Sequence, residues 1–475
     1  MLTESGSMNE VVTTTFLAET RSAGQAWAAM GVPARLAVIG RLRHLIARDP
    51  AVLASTVARN PADTLVAEVL PLAEAARFLL RRAPSLLAPR RLRGGRPLWL
   101  FGVRASIRRE AFGAVLILAP SNYPLFLPGA QALQALAAGN AVCVKPAPGC
   151  EPPMRALASL LRQAGLPEGV LHVLPANSGE AVVRLGFDHI VLTGSAETGQ
   201  RVLAAAANTL TPTTMELSGS DAVLVLPGAD LDLVASCLAY GLRLNGGATC
   251  IAPRRVFVTE ADAAALEAKL LARLPAIPSA AVPPAVAARL SALVGEAVAE
   301  GARTVSDGEG RPVMVADARP GMALLEEDVF APWLALVPVA SPEAALAAAA
   351  SCPYALGASV FGPPDAARAA AGQVRAGSVC VNDLIVPTAD PRLPFGGRGR
   401  SGFGTTRGAE GLLAMTVVKT VSERYGRLRP HLAPATDNDP ARFAGMTSLL
   451  HGDWRTRWAA LRVLLPAGRG GMTGA

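Results

Sequence analysis

An α/β protein built from two largely parallel sheets is the fold class that three features of this 475-residue sequence predict. Short apolar runs alternate with helical stretches at a spacing that calls for right-handed crossovers. Polar turns rich in Pro, Asn and Gly directly follow several of those runs. Two long charge-free stretches, residues 111–144 and 344–364, are each interrupted by Pro and Gly. They therefore read as strands buried on both faces, not as a membrane span of about 20 apolar residues.

Taken in order, residues 17–95 carry apolar positions at three- and four-residue spacing in LAETRSAGQAWAAM, ARLAVIGRLRHLIARD and LAEAARFLLRRA, which predicts helices. GAVLILAP reads as the first strand, followed by the turn PSNYP, a helix reaching Ala138 and a second strand in AVCVKPA. A helix ending at GLPEG, a strand VLHVLP, a helix, a strand HIVLTGS, a helix and a strand AVLVLP complete this run. From about Asp221 a second α/β unit has strands at RRVFV, PVMV, LALVPV, GASVFG and SVCVN. Beyond about Arg427 the tail is Pro-rich and then helical through LLHGDWRTRWAALRVLL.

With 51% hydrophobic and 17% charged residues the chain can bury more than one core, so two or three domains are expected. The net charge of +8 comes from scattered Arg, with 4% aromatics and no dense basic block, and is read as background composition with no nucleic-acid partner. Six cysteines, at 143, 150, 237, 250, 352 and 380, show no CxxC spacing. That argues against a metal site or a disulfide framework and fits reduced thiols in the cytoplasm. The start, MLTESGSMNEVVTTT, lacks the basic end and apolar stretch of a signal peptide.

Parallel sheets bind ligands beyond the carboxyl ends of their strands, so PSNYP, KPAP and GSAETG matter most. GSAETG lacks the ending of an ATP-binding loop, but a strand-to-helix turn still presents free N–H groups to a phosphate. Cys250 follows Asn-Gly-Gly-Ala-Thr, a small backbone suited to exposing a sulfur. An isolated cysteine is more often just a buried side chain, and that is the reading for the other five. Glu216 stands in a mostly uncharged region, unlike an ordinary surface carboxylate.

PSNYP, KPAP, TGSAETG, MELSG, NGGATC, EEDVFAP and PFGGRGRSGFG occur in this order, and through them the sequence resembles the NAD(P)-dependent aldehyde dehydrogenase superfamily from about residue 15 to about residue 422. The resemblance implies a Rossmann-like parallel-sheet cofactor domain (1–96 and 111–219), a second α/β catalytic domain (220–413), a small β oligomerisation element (97–110, read as a hairpin, and 414–425) and a C-terminal tail (426–475). It makes Cys250 the nucleophile, Asn122 with the Cys250 N–H the oxyanion donors, and Glu216 the base that hydrolyses the thioester. Lys145, Gly194, Ser195, Gly199, Leu217, Asp328 and Phe330 become the contacts for NAD or NADP. A small-molecule aldehyde, a homodimer or homotetramer and no membrane partner follow.

Several positions depart from the family pattern. Ser121 replaces a usual Trp, Ala248 a common Gln, and Ser218 and Ser220 stand in the commoner ELGGK pattern. Asp328 replaces a Glu that grips the nicotinamide ribose, a contact that Glu327 is placed to take over. The stretch PAIPSAAVPP is shorter than the family's connection, which points to altered substrate access. Pro148 stands where NAD-preferring relatives have a ribose-binding Glu, so NADP is not excluded, with Lys145 and Arg201 as partners for its phosphate. Two alternatives remain open: a coenzyme A-dependent acylating enzyme or acyl reductase, and a catalytically quiet structural or binding member. Glu216 favours release of a free acid. The tail is read as covering a subunit surface, its basic amphipathic pattern being the sequence's one pointer to a membrane surface.

Overall fold

The computed structural model describes residues 13–306, 311–427 and 429–464. Most of the polar start, residues 1–12, and the chain from 465 onward lie outside the described residues. Two compact units emerge: Met1–Arg90 with Ser106–Val421, and Arg91–Ala105 with Ser422–Ala475.

The larger unit holds two sheets. One has six strands in the order Gly402–Phe403, Thr213–Leu217, His189–Gly194, Ala114–Leu118, Ala141–Lys145 and Leu171–Val173. All its pairings are parallel except that of Gly402–Phe403. Ala114–Leu118 is buried at every position, the mark of a strand covered on both faces. The helix that follows, Phe126–Ala138, is also buried throughout and ends on Gly139 at φ 105, a left-handed cap that spares a side chain a clash with Ala28. The second sheet has seven strands in the order Arg303–Ser306, Val313–Ala316, Trp333–Val339, Pro253–Thr259, Asp221–Val225, Gly357–Phe361 and Ser378–Val381.

Thr213–Leu217 is a strand that the sequence concealed. Its TTMEL has two threonines and a glutamate where an apolar run would announce a central strand, and its burial comes from neighbours distant in sequence. The expected hairpin within 97–110 is a second difference. There the chain makes a short 3-10 turn, Leu98–Leu100, and one strand, Val103–Ala111. The partners of that strand are Arg90–Leu92 and Thr416–Arg424, in a three-stranded sheet. In the smaller unit, helices Asp439–His451 and Trp454–Leu464 pack against each other. Among the described residues, no helix is long and apolar enough to cross a membrane.

Candidate active site

Between helix Leu231–Arg243 and strand Pro253–Thr259 the backbone turns left-handed three times running, at Asn245 (φ 52), Gly246 (φ 58) and Gly247 (φ 74). A Cβ on Gly247 would sit 2.5 Å from the Ala331 carbonyl oxygen, so no larger residue fits. The buried Arg254 clamps the loop, donating to the carbonyls of Gly247 (2.5 Å) and Ala331 (2.6 Å). Asn245 Nδ2 donates to the carbonyls of Asn122 (2.9 Å) and Ala248 (3.1 Å). These contacts hold Cys250 half-buried on a cavity wall.

Asn122 arrives from the turn after Ala114–Leu118. Its Oδ1 accepts from the Tyr123 N–H at 3.0 Å, which fixes the amide's orientation, and Nδ2 gives one proton to the Ala248 carbonyl at 3.1 Å. The second Nδ2 proton is left for the cavity that Asn122 and Cys250 both line. Glu216 lies on strand Thr213–Leu217, opposite Gly402, and is 3% exposed. Oε2 accepts from Thr406 Oγ1 at 2.5 Å, while Oε1 is buried with no hydrogen-bond partner. Burial raises the Glu216 carboxyl above its ordinary value, with the Arg407 charge and the Thr406 hydroxyl opposing.

Two cavities meet at these side chains. One, of about 390 Å³, is lined by Cys250, Glu216 and Asn122 and by Gly194, Ser195, Leu217, Ser218, Asp328 and Phe330. The other, of about 350 Å³, is lined by the same Cys250 and Glu216 and by Tyr123, Phe126, Tyr240, Leu244, Ile251 and Phe395. Cys250 and Glu216 therefore sit where the two chambers join; both linings are mixed, with Asp63, Arg243 and Arg407 standing among the aromatic rings of the second. Burial, then the carboxylates of Glu216 and Asp221, push the Cys250 thiol well up, and Arg407 pulls it back.

In the first chamber, Ser195 caps helix Ala196–Ala207, its Oγ accepting from the Thr198 N–H at 3.2 Å. Asp328 Oδ1 and Ser218 Oγ are buried near each other, off the line of a full hydrogen bond and with no other partner. Burial pushes the Asp328 carboxyl up to about 6, against the influence of Ser218 and Arg254. These orphaned polar atoms beside a helix N-terminus fit a ribose and a phosphate.

Lys145 and Gly199 do not line this chamber. Lys145 Nζ donates to the Pro146 carbonyl at 3.2 Å, and Gly199 lies under Leu217, where a Cβ would meet Cδ1 at 2.8 Å. Glu327, the alternative ribose grip, is engaged by Arg289 at 3.0 Å. Arg201 donates to Thr198 Oγ1 at 3.3 Å. The stretch 275–284 leads into helix Pro284–Ala299, whose Ala285, Val286 and Arg289 border the first chamber, not the second. Of the cysteines read as buried, Cys143, Cys352 and Cys380 are so, whereas Cys150 and Cys237 are half-exposed.

Three further residues shape the site without a signal in the sequence. Arg407 is buried on the wall of the second chamber with its backbone at φ 58, ψ 175, a region close to glycine-only. Its guanidinium lies 4.2 Å from the Phe395 ring centre and donates to the Thr388 carbonyl at 2.7 Å. Glu68, in the π-helical turn Leu65–Val69, accepts the N–H groups of Leu125 (2.7 Å) and Phe126 (3.0 Å) at the start of the buried helix. Arg59 pairs with Glu68 at 3.2 Å, off the line of a hydrogen bond, and donates to the Asn122 carbonyl at 2.5 Å. An arginine in a Gly-rich stretch and charges on a helix read as surface features. Only the tertiary contacts show otherwise.

Comparison with known proteins gives a concordant result. The profile of the aldehyde dehydrogenase family matches residues 5–421. A 4,4'-diapolycopene aldehyde oxidase of Methylomonas sp is 28% identical, over 94% of this chain and 93% of that protein. A probable coniferyl aldehyde dehydrogenase of Pseudomonas aeruginosa is 30% identical, over 80% of this chain and 84% of its own length. An NADP-dependent glyceraldehyde-3-phosphate dehydrogenase from Bacillus halodurans, solved with NADP, superposes with a TM-score of 0.80 at 26% identity, covering 86% of this chain and 90% of that one.

Proposed function

Because the chain belongs to the aldehyde dehydrogenase family, we propose that it oxidises an apolar aldehyde to the carboxylic acid with NAD or NADP, through a thioester on Cys250. The observation that carries this is the shared wall: Cys250 and Glu216 face both chambers, so one carbon held there is reached from either side. Ser195, Leu217, Asp328 and Phe330 would hold the dinucleotide, which supplies the acceptor for the hydride.

As the thiolate, its proton lost to solvent, Cys250 Sγ adds to the carbonyl carbon, forming a C–S bond as the C=O π bond breaks and places negative charge on the oxygen. Asn122 Nδ2, already oriented by Tyr123, donates to that oxygen together with the Cys250 N–H. Oxidation of the adduct leaves a thioester. Glu216 Oε1, the free oxygen of that carboxylate, takes a proton as water attacks the acyl carbon, and the acid departs as sulfur recovers its electron pair. Thr406 steadies the other oxygen. A base so placed supports hydrolysis over transfer to coenzyme A.

The aromatic and aliphatic lining of the second chamber supports an apolar substrate, with diapolycopene aldehyde and coniferyl aldehyde the first compounds to test. Each buried methylene contributes about 0.8 kcal/mol, so kcat/KM is expected to rise about a hundredfold from a two-carbon to a six-carbon aldehyde. A flat series would contradict an apolar substrate. Cys250→Ser is expected to abolish oxidation while dinucleotide binding, followed by fluorescence titration, stays within about twofold, because a hydroxyl is far less acidic than a thiol. Substantial turnover by the folded variant would return Cys250 to the ordinary half-buried cysteines.

A further inference from the structure

The smaller unit carries a charge imbalance that the catalytic reading does not use. Its residues, 91–105 and 422–475, include twelve arginines, no lysine and four carboxylates. Their net charge of +8 equals that of the whole chain, so the other residues are electrically balanced. Arginine is this chain's usual cation, with lysine only at 145, 269 and 419, so what sets the unit apart is its excess of arginine over carboxylates; the planar guanidinium fork suits bidentate contact with phosphate.

Helix Trp454–Leu464 concentrates the chemistry. At about 100° per residue, Trp454, Trp458 and Leu461 share one face, with Arg457 on one flank and Arg455 and Arg462 on the other. Trp454 and Trp458 are 67% and 64% exposed, whereas Ala460, on the other side of the helix, is buried. Gly445 of the neighbouring helix touches Leu464, so the hairpin closes on a small contact and leaves the tryptophan face outward. Arg455 lies over the Trp454 ring, 5.2 Å from its centre. Phe443, on the preceding helix, and Leu432 are also exposed.

We propose that the tryptophan and arginine face of helix Trp454–Leu464 seats this protein on an anionic lipid surface, the indoles entering the headgroup layer and the arginines meeting lipid phosphates. Tryptophan flanked by arginine matches the layered polarity of a membrane interface, where an amphipathic ring and a cation each find a partner at adjacent depths. Arginine-rich segments near such a surface are held by its negative potential, so the attachment is salt-sensitive. Two tryptophans on one helical face favour a bilayer over nucleic acid, which a basic groove with stacking aromatics would track along a strand. The attachment stands independently of the aldehyde chemistry.

Sedimentation of the full chain with vesicles tests it. With about one-third phosphatidylglycerol in phosphatidylcholine, the bound fraction should exceed that on pure phosphatidylcholine about tenfold and fall at least about fivefold between 0.1 M and 0.5 M salt. Trp454→Ser with Trp458→Ser, and separately Arg455→Gln with Arg457→Gln and Arg462→Gln, should each lose about fivefold or more in binding, with oxidation of a water-soluble aldehyde unchanged. Brominated lipid should quench the tryptophan fluorescence of the unaltered protein. Binding equal across the variants, or no preference for anionic vesicles, would overturn the proposal. So would a change in oligomeric mass in either variant without loss of lipid binding, which would make the face a subunit contact. Capture by polyuridylate without capture by vesicles would make it a nucleic-acid surface and equally overturn it.

Discussion

Cys250 alone does not make a nucleophile here. Its thiol is pushed up by burial and by three carboxylates, Glu216, Asp221 and Asp328, and the opposing influence is the buried Arg407. Burial in turn lowers the Arg407 guanidinium, and the charges of Glu216 and Cys250 oppose that, so the three groups form one electrostatic set. Arg407 also holds a backbone conformation that costs on the order of 1–3 kcal/mol outside glycine, a strain expected where function requires it. Removing the cation in Arg407→Met leaves the thiol higher still. Since kcat/KM needs the thiolate, its rise with pH should move to more alkaline pH, with a loss of about tenfold or more at neutral pH and partial rescue by Arg407→Lys. Superimposable pH profiles would show that Arg407 is there for packing alone.

At the scale of elements, the turn that carries Asn122 is held by the pair Arg59 and Glu68. Glu68 satisfies two N–H groups at the start of helix Phe126–Ala138, and Arg59 ties Glu68 to the Asn122 carbonyl. A π-helical turn supplies the register that brings Glu68 under that helix, and such turns recur at functional sites. Arg59→Met strands a buried carboxylate and should cost about 3–5 kcal/mol, read by urea denaturation, whereas Arg59→Met with Glu68→Gln should recover much of it. Additive losses in the double variant would contradict the coupling. Among strands, the alternation of GAVLILAP, AVCVKPA and HIVLTGS was legible because strands buried on both faces read as unbroken apolar runs. TTMEL was not, because the strand that carries Glu216 has a polar composition. Nor was Gly402–Phe403, since two residues in a Gly-rich turn carry no strand signal of their own; they pair with Glu216 and Met215.

For the molecule as a whole, the site arises where three chain segments converge on the larger unit: the turn after Ala114–Leu118, the end of Thr213–Leu217 and the loop before Pro253–Thr259. Cys250, Glu216 and Asn122 were singled out through motifs shared with a known family, and the structure brings all three to one cavity. Arg407 and the Arg59–Glu68 pair were not, because their meaning lies in contacts that local composition does not encode. The proposed reaction divides into acylation of sulfur and then hydrolysis, and the two chambers that meet at Cys250 and Glu216 are consistent with that division. Intact-protein mass spectrometry of Glu216→Gln, mixed with an apolar aldehyde and NADP, separates the halves most directly. A single burst of NADPH, about one per site, with an acyl group retained on Cys250 and slow turnover afterwards is the outcome expected when the base is lost but the nucleophile remains. Unimpaired steady turnover with no adduct on Cys250 would contradict both roles at once.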